Sequence, residues 1–459
     1  MKRFSGILFC LLLLAACGPE VVPDDPPEQV TPAPEPDPEP APEPEPEPEP
    51  DPDPVLQFSG IWEDLYPGES TSAACSVTEG VSGKTYSITY TSSDPSVASI
   101  DDKGLVTAKK AGSTVIRAAE PESGVYVERK YYVVNLAQLT AGYDAARKFS
   151  CGHTIYYKAV MQSWDFFDDW FYVCQVCGSP HTLSFTRKPP QAQDPRTYMH
   201  LKYYGHGDNI FVERCDDGDW LWVSNYGTLE SGQTNRYTDS QVLSRVKFRE
   251  GQTYLPAQAD FNFVIPGMKR IISAYDRDNG SIGIWCRDSG GKAWFYVYDL
   301  ETIKSANARS LQLTYSISYG SPVVTEKPAV RAVDLSAITP LQKFQMPFNN
   351  VPLGYDWHRN RIYFMRGDGA EAEEVAAGTN KNWARVYLIN PHTAKTVTQV
   401  DVPWVDNLSL LDSEGLTNLG YFEPEGIKIK DGVLYLGFAS KDAGSSPPRR
   451  VNIFKYPLD

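Results

Sequence analysis

The sequence predicts an all-β protein in which a small β-sandwich precedes a five-bladed β-propeller. Short runs with alternating apolar residues, separated by turns that contain glycine, proline or aspartate, fill residues 55–135. A longer strand–turn–strand pattern then recurs five times within residues 136–459. Alternation with a period of two is typical of strands that bury one face. Recurrence of similar small sheets is typical of propeller blades.

The acidic charge of the chain is concentrated near its N-terminus. The 459 residues have a net charge of −15. Residues 19–54 contain thirteen Asp and Glu and no Lys or Arg, so the rest of the chain has a net charge of only −2. A nucleic-acid surface requires clustered basic residues. We therefore expect no nucleic-acid partner, and the length predicts two or three domains.

The first 17 residues are typical of a bacterial secretory signal. Lys2 and Arg3 precede an apolar run, residues 7–14, that is too short to span a bilayer as a helix. The sequence Leu-Ala-Ala-Cys that ends at Cys17 resembles the lipobox of bacterial lipoproteins. This resemblance implies cleavage before Cys17 and lipidation of its sulfur, so the lipid would be the only membrane contact. The alternative is an ordinary signal peptide followed by a chance cysteine.

Residues 18–54 predict an extended, disordered stalk. Proline disfavours helices and sheets, and the like charges of the Glu-Pro repeats repel one another. A polyproline II conformation rises about 3.1 Å per residue, so the stalk could reach on the order of 100 Å. With acidic residues just after Cys17, we expect display at the surface of a bacterial outer membrane.

Residues 55–135 predict the β-sandwich. Residues 86–90 alternate cleanly, and Asp-Pro, Lys-Gly and Ala-Gly turns separate short strands over residues 92–118. These residues resemble the group 2 bacterial immunoglobulin-like domain. The resemblance implies an immunoglobulin-like β-sandwich that acts as a spacer in surface and adhesion proteins, without a binding site of its own. The matching positions are Ser93, Asp94, Val97, Ala98, Ile100, Gly104, Val106, Thr107, Ala108, Gly112 and Ile116.

Residues 136–459 contain the repeated pattern that predicts the propeller. Each repeat has a short first strand, a polar turn and an apolar, aromatic second strand, and a further strand follows. A two-sheet sandwich would explain the alternation but not the fivefold recurrence. We expect residues 55–135 and 136–459 to fold as separate domains. The five repeats are residues 161–174, 202–225, 272–286, 352–365 and 423–438.

Several motifs of this region, taken in order, resemble one β-propeller family. They are residues 204–210, 224–227, 242–248 with 251–254, and 423–427 with 434–438. The family includes staphylococcal phage receptor-binding proteins, a teichoic-acid biosynthesis protein and the bacteriocin helveticin J, and the resemblance covers residues 155–457. It implies a five-bladed propeller that recognises cell-surface glycans, and it implies no particular catalytic residues.

The repeats place an aromatic residue or a glycine beside a carboxylate at similar points. If the first strands line a central channel, these side chains project toward one mouth. Aromatic faces and carboxylates suit sugars, because a ring stacks on the sugar and hydroxyls donate to the carboxylate. The same carboxylates could hold a Ca²⁺ ion. Alternatively, the aromatics pack between blades and the aspartates cap turns. The predicted ligand-binding residues are Trp164, Asp165, His206, Asp208, Tyr275, Asp276, Tyr355, Asp356 and Glu425.

Two functions are compatible with these features, a glycan-binding adhesin and a glycan-cleaving enzyme. We favour the adhesin, because the stalk and spacer present a head outward and no Ser-His-Asp or P-loop signature is present. For the enzyme, Glu425 and Asp208 could serve as general acid and base. The isolated histidines, including His358, are interpreted as structural. The Cys174–Cys177 pair predicts strand packing or a disulfide ahead of metal ligation.

Overall fold

A computed structural model describes residues 52–155, 158–178, 181–190, 196–228, 237–313, 315–318, 323–442 and 449–458. Cys17, the signal and nearly all of the stalk lie outside the described residues. Within these ranges, no helix is long and apolar enough to cross a membrane. Residues 52–459 form one compact unit.

The first part of this unit is a small β-sandwich, as predicted. One sheet has the order β4-β7-β8, a second has the order β2-β6-β5, and β1 pairs with β3. Val97, Ile116 and Tyr131 are buried between the sheets because alternate residues of each strand face inward. The strands are β1 (Val55–Phe58), β2 (Ser70–Ser72), β3 (Cys75–Glu79), β4 (Thr89–Ser92), β5 (Ala98–Ile100), β6 (Leu105–Ala108), β7 (Gly112–Ala119) and β8 (Tyr126–Val133).

The remaining strands are β9 (Arg147–Thr154), β10 (Met161–Phe166), β11 (Phe171–Cys177), β12 (Thr182–Lys188), β13 (Thr197–Lys202), β14 (Phe211–Cys215), β15 (Gly218–Asn225), β16 (Val242–Lys247), β17 (Thr253–Tyr254), β18 (Phe261–Val264), β19 (Lys269–Asp276), β20 (Ser281–Arg287), β21 (Ala293–Asp299), β22 (Arg309–Gln312), β23 (Tyr315–Ser318), β24 (Val323–Glu326), β25 (Ala329–Asp334), β26 (Gln342–Gln345), β27 (Tyr355–His358), β28 (Arg361–Asp368), β29 (Trp383–Asn390), β30 (Lys395–Asp401), β31 (Phe422–Lys430), β32 (Val433–Lys441) and β33 (Arg449–Pro457). The short α-helices are α1 (Leu300–Ser305), α2 (Ala372–Ala377) and α3 (Leu408–Ser413). Turns of 3₁₀-helix cover Ala137–Thr140, Tyr143–Ala145, Pro256–Gln258, Leu335–Ala337 and Pro403–Asp406.

Five sheets of four to six strands make up most of this second part. Their orders are β10-β11-β12-β13-β17, β14-β15-β16-β18-β25-β22, β19-β20-β21-β26, β27-β28-β29-β30 and β31-β32-β33-β9, and β23-β24 form a separate hairpin. We call them sheets 1 to 5. Each of the five predicted repeats supplies the first two strands of one sheet. The first two strands of a sheet are joined by a tight turn, such as Asp431-Gly432 between β31 and β32. Both residues of this turn have positive φ, which is the conformation that two-residue hairpin turns require and that Asp-Gly favours.

The five sheets are arranged as a ring. The first strand of each sheet contacts the first strand of the next, in the order β10, β14, β19, β27, β31 and back to β10. The ring is closed by β9, which enters from the N-terminal side and pairs antiparallel with the C-terminal β33. The predicted all-β class, a sandwich followed by a propeller, is confirmed. The count of five blades remains a prediction, which this closed cycle of inner strands supports.

The sandwich is docked on sheets 3 and 4 through buried charges. Arg361 is 1% exposed and lies 3.4 Å from Glu63 and 2.9 Å from Glu69. The Tyr363 hydroxyl donates to Asp64 at 2.7 Å. A buried ion must be paired, because an uncompensated charge in an apolar interior is costly. The segment of residues 60–69 therefore belongs structurally to the propeller surface as well as to the sandwich.

Apolar contacts also cross the junction at residue 135. Val134, Leu136 and Leu139 are buried in one cluster with residues of sheets 4 and 5, including Met365 and Phe454. The predicted boundary between residues 135 and 136 remains a prediction. Separating the chain there would expose this apolar surface to water.

Candidate functional site

The ring of inner strands has two ends. We call the end at which these strands begin the leading end, and the end at which they turn back into the second strands the turn end. His206, Asp208 and Glu425 lie together at the leading end. Asp165 and Tyr275 line a cavity at the turn end. The predicted ligand-binding residues therefore divide between two places and do not share one mouth.

Trp164 and Tyr355 are buried between sheets. A Cβ atom on Gly426 or Gly437 would lie 2.4 or 2.1 Å from the Trp164 indole nitrogen, so the glycines make room for the ring. The Tyr355 hydroxyl donates to the carbonyl of Ile272 at 2.9 Å. Both side chains are fully buried, and this placement fits the alternative that these aromatics pack between blades.

Three of the repeated aspartates link their sheet to the next one. One oxygen of Asp165 accepts the N–H of Val212 in sheet 2 at 2.7 Å. Asp356 in sheet 4 does the same for the N–H of Ile429 in sheet 5, also at 2.7 Å. In both cases the other oxygen accepts the amide that follows the aspartate itself. The carboxylates thus satisfy backbone donors that would otherwise be buried without a partner.

Asp276 has a related role between sheets 3 and 4. One of its oxygens accepts the N–H of Asn360 at 3.0 Å and the side chain of Asn279 at 2.7 Å. Burial raises the pKa of Asp276 to about 6, and it raises the pKa of Asp356 to about 7. Each carboxyl accepts a backbone hydrogen bond from the next sheet and so helps to hold the ring together.

The turn end contains two adjoining cavities, which we call the turn-end groove. The inner cavity has a volume of about 150 Å³ and is lined by Asp165, Phe166, Phe167, Tyr275, Arg277, Asp278, His358, Lys428, Ile429, Lys430 and Asp431. The outer cavity, of about 470 Å³, is lined by Phe149, Phe166, Phe167, Asp168, Pro189, Pro190, Lys430, Asp431 and Tyr435. Four lining residues are shared, so the two cavities form one surface.

Charged groups and rings alternate along the turn-end groove. The guanidinium of Arg277 is 5.3 Å from the ring centre of Phe167 and donates to Asp165 at 3.0 Å. Deeper in the ring, the Lys428 ammonium donates to the carbonyl of Ile210 at 2.8 Å. The Lys430 ammonium donates to Asp168 at 2.6 Å. The surface can therefore offer both stacking faces and hydrogen-bonding groups of either charge.

The leading end contains a carboxylate that is held ionised. Arg270 donates to both oxygens of Asp208 at 2.9 Å, and Nδ1 of His206 lies 2.9 Å from one of them. Burial alone would raise the pKa of Asp208, but the guanidinium of Arg270 and the imidazole of His206 hold it well below its usual range.

The pKa of the neighbouring Glu425 is shifted in the opposite direction. Burial, together with the negative charges of Glu423 and Asp208, raises the pKa of Glu425 well above its usual range. Burial also raises the pKa of Glu423, whose carboxyl accepts the Tyr421 hydroxyl. Folding therefore moves the pKa values of Asp208 and Glu425 in opposite directions. Two carboxyl groups with separated pKa values are what general acid–base chemistry requires.

Sequence reasoning missed the basic residues at both ends. Arg277 follows Asp276 directly, Lys428 lies three residues after Glu425, and Arg270 is the second residue of β19. A signal was present for Arg277 and Lys428, since each falls within the same repeat as a predicted carboxylate. Which acid each cation would pair with could not be predicted, because Arg270 reaches Asp208 in another sheet.

The free cysteines fit a packing role. Cys174 and Cys177 both lie in β11 as free thiols. A Cβ atom on Gly207 would come within 2.8 Å of the Cys174 sulfur, so the strand and the Gly207 loop pack closely.

Comparison with known proteins identifies one segment of the chain. Residues 69–125 match the family described as Bacterial Ig-like domain (group 2). The predicted immunoglobulin-like identity of this segment is therefore confirmed. None of the curated proteins matches the chain.

Several solved structures show weak similarity. The polysaccharide lyase Uly1 is 9% identical over 70% of this chain and 95% of its own, with a TM-score of 0.30. The WD40 domain of Toxoplasma gondii coronin is 9% identical over 69% of this chain and 85% of its own, with a TM-score of 0.29. A quinonprotein alcohol dehydrogenase-like protein from Bacteroides thetaiotaomicron is 12% identical over 88% and 98%, with a TM-score of 0.23. No function follows from similarity at this level.

Proposed function

We propose that the protein is a surface-anchored lipoprotein that binds a glycan in the turn-end groove. The main supporting observation is that two adjoining cavities are lined by aromatic rings interspersed with charged side chains. Phe167 and Tyr435 are partly exposed there, so a sugar ring can stack on them. Hydroxyl groups of the sugar would find both carboxylate acceptors and cationic donors within the same surface.

The rest of the chain supports presentation of this groove outside the cell. The confirmed immunoglobulin-like segment precedes the propeller, and an acidic, proline-rich stretch precedes that segment in the sequence. Lipidation at Cys17 and location at the outer membrane complete the proposal. The resulting order is a lipid anchor, a stalk, a spacer and a glycan-binding head.

A glycan array with the full-length protein in detergent is the first test of this proposal. Any bound glycan is then titrated against Phe167→Ala and Tyr435→Ala by calorimetry. Loss of one stacking ring typically costs about 1 kcal/mol, which corresponds to roughly fivefold weaker binding. Tyr126→Ala serves as the matched control, because Tyr126 is a 54% exposed aromatic residue on the immunoglobulin-like segment. Unchanged affinity in both groove variants would place binding elsewhere.

A glycan-cleaving enzyme is the second candidate, and the leading end supports it. The supporting observation is that the pKa of Asp208 is lowered and that of the neighbouring Glu425 is raised. In that case, bound glycans incubated with the protein would yield shorter products. Glu425→Gln would abolish turnover while leaving the affinity measured at the turn-end groove unchanged. The absence of products from every bound glycan would eliminate the enzyme.

A further inference from the structure

Three carboxylates and one histidine converge at the junction between the sandwich and the propeller. Asp64 belongs to the segment that precedes β2, Asp276 ends β19 with Asp278 two residues beyond it, and His358 ends β27. Ligand atoms of Asp276, Asp278 and His358 all lie within 4.8 Å of one another. Residues from three separate parts of the chain are thus brought to one point.

His358 is the member of this group whose placement has no structural explanation. Its imidazole is buried, at 8% exposure, and its Nε2 atom has no hydrogen-bond partner among the described residues. Nε2 lies 4.0 Å from an oxygen of Asp64 and 4.0 Å from an oxygen of Asp278. These distances are too long for a hydrogen bond. A buried ring nitrogen that faces carboxylates without a hydrogen bond to them is explained by an ion that lies between them.

The separations fit a shared metal ion. Bonds from a divalent cation to imidazole nitrogen or carboxylate oxygen are about 2.0–2.2 Å long. Two ligands on one ion are therefore roughly 3 to 4.2 Å apart, depending on the angle between them. The 4.0 Å between Nε2 of His358 and each carboxylate falls within this range.

The charge balance also favours a cation. Asp64 and Asp276 are almost fully buried, and Asp278 is partly exposed. Among the residues that the structure describes, the guanidinium bonded to this group is that of Arg359, which donates to Asp278 at 2.6 Å and lies 3.4 Å from Asp64. The other cations that face it are engaged elsewhere, Arg277 with Asp165 and Arg361 with Glu63 and Glu69. Three carboxylates around one guanidinium leave a negative excess in a low-dielectric site.

An ion can reach this position from solvent. His358 and Asp278 both line the inner cavity of the turn-end groove, which is about 150 Å³ in volume. We propose that Asp64, Asp276, Asp278 and His358 bind a divalent transition-metal ion that joins the immunoglobulin-like segment to the propeller. The mixed oxygen and nitrogen ligands favour an ion such as Mn²⁺ over Ca²⁺, which takes oxygen ligands. The metal proposal does not rest on glycan binding, although Asp278 and His358 also line the turn-end groove.

The test is a titration of the full-length protein with Mn²⁺ after EDTA treatment. Binding is measured as the decrease in the EPR signal of free Mn²⁺. Mn²⁺ is the chosen probe because thiolates prefer softer ions, so the free cysteines do not compete. We expect one Mn²⁺ per chain at saturation. His358→Gln and Asp278→Asn should each weaken binding at least tenfold. Mn²⁺ should raise the melting temperature of the wild-type protein and should not raise that of His358→Gln.

His392→Gln is the matched control. His392 lies at the same junction, 2.7 Å from Glu63, but is not one of the four proposed ligands. We expect it to bind Mn²⁺ like the wild type. If His358→Gln fails to fold, Asp278→Asn still tests the proposal. Asp278 is partly exposed, so its substitution should leave the fold intact. Absence of saturable binding to the wild type would overturn the proposal. So would wild-type affinity in Asp278→Asn, or an equal loss in His392→Gln.

Discussion

Asp165→Asn should destabilise the protein before it affects any ligand. Asp165 is 1% exposed and accepts three hydrogen bonds, from the N–H of Phe166 at 2.9 Å, the N–H of Val212 at 2.7 Å and the guanidinium of Arg277 at 3.0 Å. An asparagine has only one acceptor oxygen. If that oxygen keeps the bond from Phe166, the amide NH₂ group faces two donors.

The expected cost follows from these contacts. A buried donor left without an acceptor costs about 1–3 kcal/mol, which applies here to the N–H of Val212. The Arg277 side chain is 41% exposed, so loss of its ion pair adds only about 0–1 kcal/mol. The free energy of unfolding should therefore fall by about 1–4 kcal/mol. Arg277→Gln removes this ion pair and the bond that Arg277 donates to the carbonyl of Val212, but it leaves the two backbone amides bonded to Asp165, so it should cost only about 1 kcal/mol.

Guanidinium unfolding at pH 7, followed by tryptophan fluorescence, measures the difference. The midpoint of Asp165→Asn should lie clearly below those of the wild type and Arg277→Gln, which should be close to each other. Equal midpoints for both variants would refute the assigned role of Asp165 as a link between sheets 1 and 2. Loss of glycan affinity at wild-type stability would instead support Asp165 as a ligand.

Three further predictions concern the junction, the leading end and the anchor. Arg361→Met should cost about 3 kcal/mol, because it leaves the buried Glu63 without its guanidinium partner, and Glu63→Ala should cost less, because Arg361 keeps its bond to Glu69. Their double variant should cost less than the sum in the same unfolding assay. Since the pKa of Glu425 is raised on folding, its contribution to stability is fully present below its ordinary value of 4.5 and is lost as the pH rises through the folded value. Between pH 5 and pH 9, the free energy of unfolding should therefore fall less for Glu425→Gln than for the wild type. An equal fall in both proteins would contradict this. Cys17→Ala should release the protein from membranes into the aqueous phase on detergent partitioning, whereas unchanged partitioning would exclude lipidation at Cys17.

The fold could be predicted from the sequence because it depends on local patterns. Alternating apolar residues identified the strands, and residues 423–438 do form β31 and β32 around the Asp431-Gly432 turn. The match to the immunoglobulin-like family was also visible in short motifs of residues 93–116. What could not be predicted is how distant parts meet. Pairing of β9 with β33 and docking of Asp64 on Tyr363 join residues about 300 positions apart, and no local pattern encodes either contact.

The candidate site was harder to predict, and the reason lies in the repeat itself. A feature that recurs in every blade answers a need that every blade has, and each inner strand needs an acceptor for an amide of its neighbour. Asp165 and Asp356 meet that need with nearly identical hydrogen bonds. The proposed ligand contacts instead involve residues outside these aspartate links. Arg277 lines the inner cavity of the turn-end groove, and His206 and Arg270 flank Asp208 at the leading end. In a propeller, residues that depart from the repeat are therefore better candidates for binding and catalysis than residues that define it.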